Sequence, residues 1–494
     1  MSEKLMASRF ILKTGRIFFT AVILFACAVK APCEVIRPIQ VMLPGNLEGQ
    51  LITFSSNQSS QCSEGFKLPY VINAFKKEKG KDSIVFGIGN DSSAFRPFSY
   101  LNMGKAEREL ISRCNPEAVA VSPNDLEVFN RTLLSKDIKS RVFTNIEAYD
   151  NNEIFERFCK SEVNGRQFTF FCFIEPEYCS KLPIEKWSQI RIDDPCRAIR
   201  RLNPNIGKNN FSISIYYGGK ECGEAITEEL NRLEGIHFLV NIPLNETEAP
   251  LYSFNTPEIK GNVYRFSITH GYKVLPILNI IPKNSGFPRT TLRMIPLNKY
   301  TESRARNDFK QAWEQVRQEF HEPLRVIPVT KRASTSANRI RLQAHAQVLR
   351  YAACTELAFI KMPDQIAFTE NVMTVGDAIT RFPNDRIIKF KATETQLKNA
   401  LSEMLKDTGI KNVGFAGFQF SSLGGNFWDF KVAHQTIDKH RLYTIATTES
   451  TAKEFSIKKL LNSCIIDDYN GMMLWDIWKD NLKSFNISED ELFE

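Results

Sequence analysis

The sequence is poor in the residues that bind metals through nitrogen or sulfur. Its 494 residues include only six histidines, and its eleven cysteines form no Cys-x-x-Cys pair with zinc spacing. It also lacks a Gly-x-Ser-x-Gly motif and a Cys–His pairing in a suitable context. The cysteine spacing therefore gives no sign of a zinc site, and a serine or cysteine nucleophile finds little support.

The sequence also lacks any block of basic residues. Net charge is +8, but the 64 basic residues are interleaved with 56 acidic ones along the whole chain. Without a basic stripe we expect no nucleic-acid partner, whereas a mild basic excess suits an anionic small ligand or an anionic surface equally well. At this length, two domains are the natural expectation.

The N-terminus is typical of a secretory signal peptide. Four basic residues at 4, 9, 13 and 16 precede an apolar run at 17–26, which ends in Ala26-Cys27-Ala28. We expect residues 1–28 to be a signal peptide and the protein to be exported, either periplasmic, secreted or lipid-anchored at the outer face of a membrane. Two alternatives stay open, namely lipid attachment at Cys27 and an uncleaved anchor. No second long apolar stretch follows, so no transmembrane span is expected in the mature chain.

Export makes disulfides the preferred interpretation for several of the remaining ten cysteines. We expect local bridging within the cluster formed by Cys159, Cys172, Cys179 and Cys196. The pairing itself cannot be read from the sequence.

Residues 36–285 alternate short apolar strands with helical patterns. Three strands, near residues 39–43, 83–87 and 118–121, each run into a polar turn. This order predicts an α/β domain with its site at the carboxyl edge of a sheet. The polar side chains in these turns are Asn46, Glu48, Asn90, Asn124 and Asp125.

An amphipathic helix at 299–323 is predicted to link this domain to a second one. Phe309, Trp313, Val316 and Phe320 recur at spacings that place them on one helix face. Residues 324–494 read as an α+β domain, in which Thr393-Glu394-Thr395-Gln396 predicts a capping box at the start of a helix.

Taken together, these pieces resemble the secreted two-domain 5'-nucleotidase family. The segments of the C-terminal half that carry the resemblance, in the family's order, are Thr374-Val375-Gly376-Asp377, Phe382-Pro383, Thr393 with Gln396-Leu397 and Ala400-Leu401, Gly417-Phe418-Gln419-Phe420-Ser421, and Leu442-Tyr443-Thr444-Ile445-Ala446-Thr447. The resemblance implies a metallophosphoesterase-like αββα sandwich, a linker helix and an α+β nucleotide-binding domain.

The N-terminal half is similar to the family in framework and departs from it in chemistry. Asn46-Leu47-Glu48-Gly49 stands where the family has Asp-x-His-Gly, and Gly89-Asn90 stands where it has Gly-Asp. Asn124-Asp125 stands for Asn-His. The places of the later histidine ligands correspond to 216–219 and 241–244, and neither holds a histidine.

These departures predict a degenerate metal site. Neutral amides at Asn46 and Asn90 cannot offset the repulsion between two dications. We expect either no cofactor or one divalent cation (Mg²⁺, Ca²⁺ or Mn²⁺) held by Glu48 and Asp125 through oxygen. In the structural alternative, Asn46 and Asn90 cap turns and Glu48 is solvated or salt-bridged.

The nucleotide site implied by the resemblance is also incomplete. The family's arginine and glycine loops have no counterpart at 362–366 and 451–455. Phe418 is a candidate stacking face, with Phe455 or Tyr469 as the second, although Phe418 suits core packing equally well. Two functions follow: a binding or scaffold protein that has lost phosphoesterase activity, or a divergent hydrolase of nucleotides or other phosphate esters that uses a single metal.

Overall fold

The structure of the protein is a computed structural model. It describes residues 37–54, 60–128, 141–148, 155–179, 190–202, 206–244, 249–253, 256–269, 271–283, 286–326, 334–361, 372–381, 384–408, 413–423, 426–432, 435–436, 438, 440–452, 457, 460–461, 465–466 and 473–481. The predicted signal peptide at 1–28, with Cys27, lies outside these residues. Within them, no helix is both long enough and apolar enough to cross a bilayer.

Two six-stranded sheets and two small two-stranded sheets make up the described N-terminal part of the chain. The described strands are β1 (Ile39–Met42), β2 (Ile52–Phe54), β3 (Ser60–Cys62), β4 (Ser83–Gly87), β5 (Ala118–Ala120), β6 (Arg141–Val142), β7 (Ile146–Ala148), β8 (Cys159–Val163), β9 (Arg166–Ile174), β10 (Ile190–Ile192), β11 (Phe211–Tyr217), β12 (Ile236–Asn241), β13 (Glu258–Lys260), β14 (Val263–Ser267), β15 (Val274–Ile281) and β16 (Arg289–Pro296). The described helices are α1 (Leu68–Lys79), α2 (Pro97–Leu101), α3 (Lys105–Arg113), α4 (Pro123–Val128), α5 (Pro176–Cys179), α6 (Pro195–Leu202) and α7 (Lys220–Asn231).

The first sheet has the order β16-β15-β1-β4-β5-β6 and the second the order β13-β14-β12-β11-β9-β8. Strands β1, β4, β5 and β6 run parallel, so their carboxyl ends meet at one edge of the first sheet. In the second sheet β9, β11, β12 and β14 are likewise parallel. Central strands of such sheets are covered on both faces, which explains their continuous apolar runs.

The two sheets pack face to face with helices on both outer sides. Val41 and Leu43 lie in the core between the sheets, whereas Met42 points into the outer layer around α1 and α3. Phe86 and Phe170 stack across the sheets with ring centroids 4.7 Å apart. Helices α6 and α7 cover the outer face of the second sheet. The predicted αββα sandwich is confirmed.

A long helix, α8 (Ser303–Phe320), follows the sandwich after a 3-10 turn at Leu297–Lys299. It is shorter than the predicted 299–323, because the chain turns at both ends, but it buries the predicted face. Val316 and Phe320 are buried, and Phe309 and Trp313 are partly buried against them. The same apolar cluster continues into the C-terminal part of the chain.

The C-terminal part is built on a mixed sheet with the described order β21-β18-β25-β20-β26. The described strands of the C-terminal part are β17 (Pro323–Val326), β18 (Leu357–Lys361), β19 (Val372–Thr374), β20 (Ile387–Thr393), β21 (Val413–Ala416), β22 (Phe418–Leu423), β23 (Asn426–Val432), β24 (Gln435–Thr436), β25 (Leu442–Thr448) and β26 (Ile465–Ile466). Its helices are α9 (Ser334–Ala352), α10 (Val375–Arg381), α11 (Glu394–Thr408), α12 (Glu449–Ala452) and α13 (Leu474–Asn481). The predicted α+β class is confirmed.

The capping box that was predicted before α11 is present. Thr393 N donates to Gln396 Oε1 at 2.9 Å, and Gln396 N donates to Thr393 Oγ1 at 3.4 Å. Two backbone donors at the start of the helix are thereby satisfied reciprocally.

The expected local disulfide is not found in the described residues. Cys159, Cys172 and Cys196 are free thiols, and the side chain of Cys179 lies outside the described residues. Cys172 lies in the core between the sheets, whereas Cys196 lies in the layer outside the second sheet. The sheet itself separates these two residues, so closeness in sequence does not bring their sulfur atoms together.

Candidate functional site

The candidate site is formed by the loops that leave β1, β4 and β5 at the carboxyl edge of the first sheet. Backbone pairing continues past the ends of β1 and β4: Asn46 N donates to Gly89 O at 2.7 Å, and Glu48 N donates to Asn90 O at 2.9 Å. Gly49 N donates to Asp91 O at 2.9 Å. These bonds hold the two loops side by side, as the sequence predicted.

Several residues in these loops have left-handed backbone conformations. The φ angles of Asn46, Glu48 and Asn90 are 54°, 54° and 55°. Asparagine tolerates this region, but for a glutamate it costs on the order of 1–3 kcal/mol. Gly89, with φ +68°, has no room for a side chain, because an added Cβ would lie 2.5 Å from Ala120 O. The loops therefore have a left-handed backbone geometry that most residue types other than glycine and asparagine disfavour.

Three asparagine side chains form a continuous chain of hydrogen bonds across the site. Asn124 Nδ2 donates to Asn90 Oδ1 at 2.9 Å, and Asn90 Nδ2 donates to Asn46 Oδ1 at 2.7 Å. Asn46 and Asn90 are fully buried. We call this set the amide chain (Asn46, Asn90 and Asn124). The two oxygens that would face a cation, on Asn46 and Asn90, each accept a hydrogen bond from a neighbouring amide instead.

Backbone carbonyls fix the direction of the amide chain. Asn124 Nδ2 also donates to Leu244 O at 2.9 Å, and Asn90 Nδ2 lies 3.4 Å from Pro243 O. Asn46 Nδ2 lies 3.4 Å from Ile268 O. A carbonyl only accepts, so each amide must turn its nitrogen toward it. The loop after β12, where the resemblance places histidine ligands, thus supplies carbonyl acceptors for amides.

Asp125 is the centre of the second half of the site, and it is 2% exposed. Its Oδ1 accepts from Asp91 N and Ser92 N at 3.1 and 3.0 Å. Its Oδ2 accepts from Asn90 N at 2.9 Å, Ser122 N at 3.1 Å and Ser122 Oγ at 2.8 Å. Four backbone N–H groups and one hydroxyl therefore converge on this carboxylate.

Part of this arrangement is a capping box at the start of α4. Ser122 is the residue before the helix, Pro123 is its first residue, and Asp125 N donates to Ser122 Oγ at 3.0 Å. The pattern Ser-Pro-x-Asp carries this signal in the sequence. The extra bonds from 90–92 depend on the folded sheet edge, so no local pattern could have predicted them.

Glu48 is 5% exposed, so of the two structural alternatives, a solvated or a salt-bridged side chain, the solvated one is wrong. Gln50 Nε2 donates to Glu48 Oε2 at 3.4 Å. The backbone of Glu48 is left-handed, and its side chain is buried. Ser99 and Arg96 crowd the following Gly49, where an added Cβ would lie 2.9 and 3.0 Å from their Cβ atoms.

A further acid, Asp91, lies beside the amide chain, and sequence reasoning did not single it out. Its Oδ1 has no hydrogen-bond partner among the described residues. Burial, and then the nearby charge of Asp125, raise the pKa of Asp91 well above its ordinary value, and Arg141 opposes this rise. Glu107 on α3 raises the pKa of Asp91 as well. The protonated form of Asp91 is therefore favoured at this edge.

The donor set does not fit a two-metal centre. Such a centre needs a bridging carboxylate and several imidazoles or carboxylates with free lone pairs. Here the corresponding side chains are amides bonded to one another, and both oxygens of Asp125 already accept hydrogen bonds. Within the described residues, no group of three or more His, Cys, Asp or Glu side chains is placed to hold a metal ion.

The candidate nucleotide-binding residues cannot be placed as side chains. Phe418 begins β22, and its backbone pairs with Val432, but its side chain lies outside the described residues. Phe455 and Tyr469 lie wholly outside them. The stacking proposal for these three aromatics remains a prediction.

The C-terminal part of the chain touches the site through a contact that the sequence did not predict. Arg386, which is 5% exposed, forms an ion pair with Glu127 of α4, two residues after Asp125. Asn384 Nδ2 donates to Ala94 O at 2.6 Å. The guanidinium of Arg386 lies 5.4 Å from the centre of the Phe95 ring. The loop at 90–95 is thereby held by Asp125 on one side and by Asn384 and Arg386 on the other.

Solved structures resemble this chain over most of its length. A candidate 5'-nucleotidase from Staphylococcus aureus, in complex with α-ketoglutarate, matches with a TM-score of 0.64 at 12% identity, covering 92% of this chain and 98% of that one. The chain has the two-domain fold of the 5'-nucleotidases. A 5'-nucleotidase precursor from Thermus thermophilus matches with a TM-score of 0.53 at 13% identity, covering 90% of this chain and 96% of that one.

A third structure extends the comparison within the nucleotidase fold. NAD nucleotidase from Haemophilus influenzae matches with a TM-score of 0.57 at 12% identity, covering 90% of this chain and 96% of its own. No protein-family model and no curated relative matches the amino-acid sequence. At these identities the likeness shows the fold alone. The predicted resemblance is confirmed at that level, and function must be argued from the site.

Proposed function

We propose that this chain is an exported protein of the 5'-nucleotidase fold that has lost two-metal phosphoesterase chemistry and serves as a binding or scaffold protein. The observation that carries the proposal is the amide chain, whose members bond to one another at the edge where metal ligands are expected. A phosphoesterase of this fold would need those oxygens to face cations and a bound water.

The hydrogen bonds that Asp125 accepts support the same proposal. Its two oxygens accept five hydrogen bonds from Asn90, Asp91, Ser92 and Ser122. A cation there would have to displace several of these bonds and leave buried backbone N–H groups without partners. The alternative, hydrolysis through a single Mg²⁺, Ca²⁺ or Mn²⁺ on Glu48 and Asp125, requires that displacement.

Metal content and turnover test the loss of activity. Purified full-length mature protein is analysed for bound metals and assayed on 5'-AMP, a UDP-sugar and an aryl phosphate with Mn²⁺, Zn²⁺ or Mg²⁺. We expect less than stoichiometric metal and no turnover above that of the matched variant Glu48→Gln. Stoichiometric metal, with turnover that disappears in Glu48→Gln, would establish the single-metal hydrolase instead.

The proposed ligand is a nucleotide or another phosphorylated small molecule. Support comes from the fold, since solved proteins that share it are described as 5'-nucleotidases and an NAD nucleotidase. Phe418 is the proposed stacking face, with Phe455 or Tyr469 opposite. We expect 5'-AMP or NAD to raise the melting temperature of the protein, and Phe418→Ala to reduce the rise. Adenosine and inorganic phosphate serve as controls that separate base from phosphate recognition.

Export is tested by the mass of the mature chain. Removal of residues 1–28 would leave a chain that begins at Val29, whereas lipid attachment would leave Cys27 at the N-terminus with the added mass of acyl groups. Intact-protein mass spectrometry after expression in the native compartment distinguishes these two outcomes. A chain that keeps Met1 in the cell interior would contradict export.

A further inference from the structure

Two cysteines lie at matching positions on neighbouring helices. Cys196 is the second residue of α6, and Cys222 is the third residue of α7. The strands β9, β11 and β12, which these helices connect, are parallel. The two crossover helices therefore run in the same direction, and their first turns lie at the same end of the sheet.

The helices pack against each other on the outer face of the second sheet. Arg200 Nε of α6 lies 3.6 Å from Glu229 Oε1 of α7. Near their first turns, Cys196 and Cys222 both join the apolar cluster that contains Tyr216. Cys196 is 7% exposed, and Cys222 is half-buried. Both are free thiols in this structure.

The electrostatics agree with this proximity. Burial, and then the charges of Asp194 and Cys222, raise the pKa of Cys196 to about 12. Burial raises the pKa of Cys222 to about 11, and a hydrogen bond with the Tyr216 hydroxyl opposes the rise. Each thiol is therefore a slow nucleophile at neutral pH, and Cys222 is the more accessible of the two.

We propose that Cys196 and Cys222 are a disulfide-forming pair, which ties α6 to α7 when the chain meets a small-molecule disulfide such as oxidised glutathione. The Cys222 thiolate attacks one glutathione sulfur, forms a mixed disulfide and releases one glutathione. The Cys196 thiolate then attacks Cys222 Sγ and releases the second. Two cysteine thiols are oxidised, and one glutathione disulfide is reduced to two thiols.

The other described cysteines are poorly placed to compete. Cys159 and Cys172 both pack in the cluster on the opposite side of the second sheet, and Cys172 Sγ donates to Val121 O at 3.3 Å. Cys114 is buried behind the first sheet. Cys62 and Cys354 are exposed and belong to other parts of the fold. Cys179, which ends α5, is the competitor that the experiment must distinguish.

Trypsin separates the relevant cysteines onto different peptides. Cys196 lies on peptide 192–197, Cys222 lies on peptide 221–232, and Cys172 and Cys179 share peptide 167–181. Full-length mature protein is refolded from denaturant in a glutathione redox buffer, so that burial does not limit the rate. It is then alkylated and digested without reduction. We expect 192–197 linked to 221–232, two hydrogens lighter than the sum of the two thiol peptides.

Matched variants and a stability measurement complete the test. Cys222→Ala should leave Cys196 alkylated, whereas Cys354→Ser should leave the linked peptides unchanged. Oxidised protein should melt several degrees above the reduced form, and Cys222→Ala should remove this difference. Alkylation of both Cys196 and Cys222 after oxidative refolding, or linkage of either one to 167–181, would overturn the proposal.

Discussion

Two buried carboxyl groups of the first domain, Asp125 and Glu107, lie in contrasting hydrogen-bonding environments. Asp125 is 2% exposed and accepts five hydrogen bonds from two loops. Glu107, on α3, is fully buried, and neither of its carboxyl oxygens has a hydrogen-bond partner among the described residues. Burial raises the pKa of Glu107 to about 7, and nearby Ser99, Asn102 and Arg108 only partly oppose it.

This difference shows that the edge of the first sheet binds a carboxylate of the protein itself. Backbone donors at 90–92 and 122 point at one carboxylate of the protein itself. Around Glu107, the groups that lower its pKa, including its own backbone N–H, Ser99 and Asn102, are outweighed by burial, so the neutral acid is favoured there. An edge that already satisfies its own anion has little electrostatic need for a cation, whereas an unsatisfied acid is sensitive to protons.

The largest effect is expected from Asp125→Ala. The substitution leaves buried N–H groups of Asn90, Asp91 and Ser92 without an acceptor, and each such group costs roughly 1–3 kcal/mol. We expect the free energy of unfolding to fall by at least about 3 kcal/mol in urea denaturation. Glu314→Gln, at an exposed ion pair on α8, is the control and should change it by less than about 0.5 kcal/mol. A loss below about 1 kcal/mol for Asp125→Ala would contradict the central role of this carboxylate.

The next largest effect concerns Glu127, a third buried carboxylate, which forms an ion pair with Arg386 of the C-terminal part of the chain. Arg386→Met removes its cation and leaves Glu127 and Glu449 near an apolar side chain. Removal of one partner of a buried ion pair lowers the free energy of unfolding by about 3–5 kcal/mol. We expect a destabilisation in that range, largely recovered in the double variant Arg386→Met/Glu127→Leu. Arg317→Met, at an exposed pair, should cost less than about 1 kcal/mol. If the single and double variants lose the same free energy of unfolding, the ion pair between Arg386 and Glu127 is not the cause of the destabilisation.

A smaller effect is expected from Asn90→Asp, which adds an anion at the sheet edge where the hydrogen bonds of Asp125 are already complete. An aspartate at 90 cannot donate to Asn46 Oδ1 or Pro243 O, so two hydrogen bonds of the amide chain are lost. We expect the free energy of unfolding to fall by about 2–3 kcal/mol without metal. Thermal melts with and without Mn²⁺ provide the measurement, and wild-type protein in Mn²⁺ is the control. Recovery of stability at one Mn²⁺ per chain would show that the edge retains a latent metal site.

The sequence predicted the framework of the site because that framework is local. Apolar runs at β1, β4 and β5, each followed by glycine, asparagine or serine, were enough to place Asn46, Asn90 and Asp125 at one sheet edge. The helical spacing at 299–323 predicted the linker helix, and the resemblance to a family added the pairing of the two sheets. The sheet edge and the linker helix depend on periodicity and turn chemistry, which adjacent residues determine.

The sequence could not predict the side-chain partners within the site. The direction of the amide chain depends on carbonyls at Pro243, Leu244 and Ile268, which are far away along the chain. The burial of Glu48 depends on a left-handed backbone that its residue type disfavours. The pairing of Arg386 with Glu127 depends on how the C-terminal part of the chain packs. Such contacts are set by tertiary structure, and a pattern along the chain does not specify them.

The smallest effect concerns protons at Glu107. Its pKa is raised from 4.5 to about 7 on folding, so the folded protein binds this proton more tightly than the unfolded chain. The stabilising contribution is complete below about pH 4.5 and is lost as pH rises through about 7. We expect urea stability to fall by on the order of 1–3 kcal/mol between pH 5 and 8, with Asp91 contributing in the same direction. Glu107→Gln should flatten this slope, whereas Glu109→Gln, on the exposed side of α3, should leave it unchanged. A slope that is the same in both variants would show that Glu107 is not the buried acid responsible.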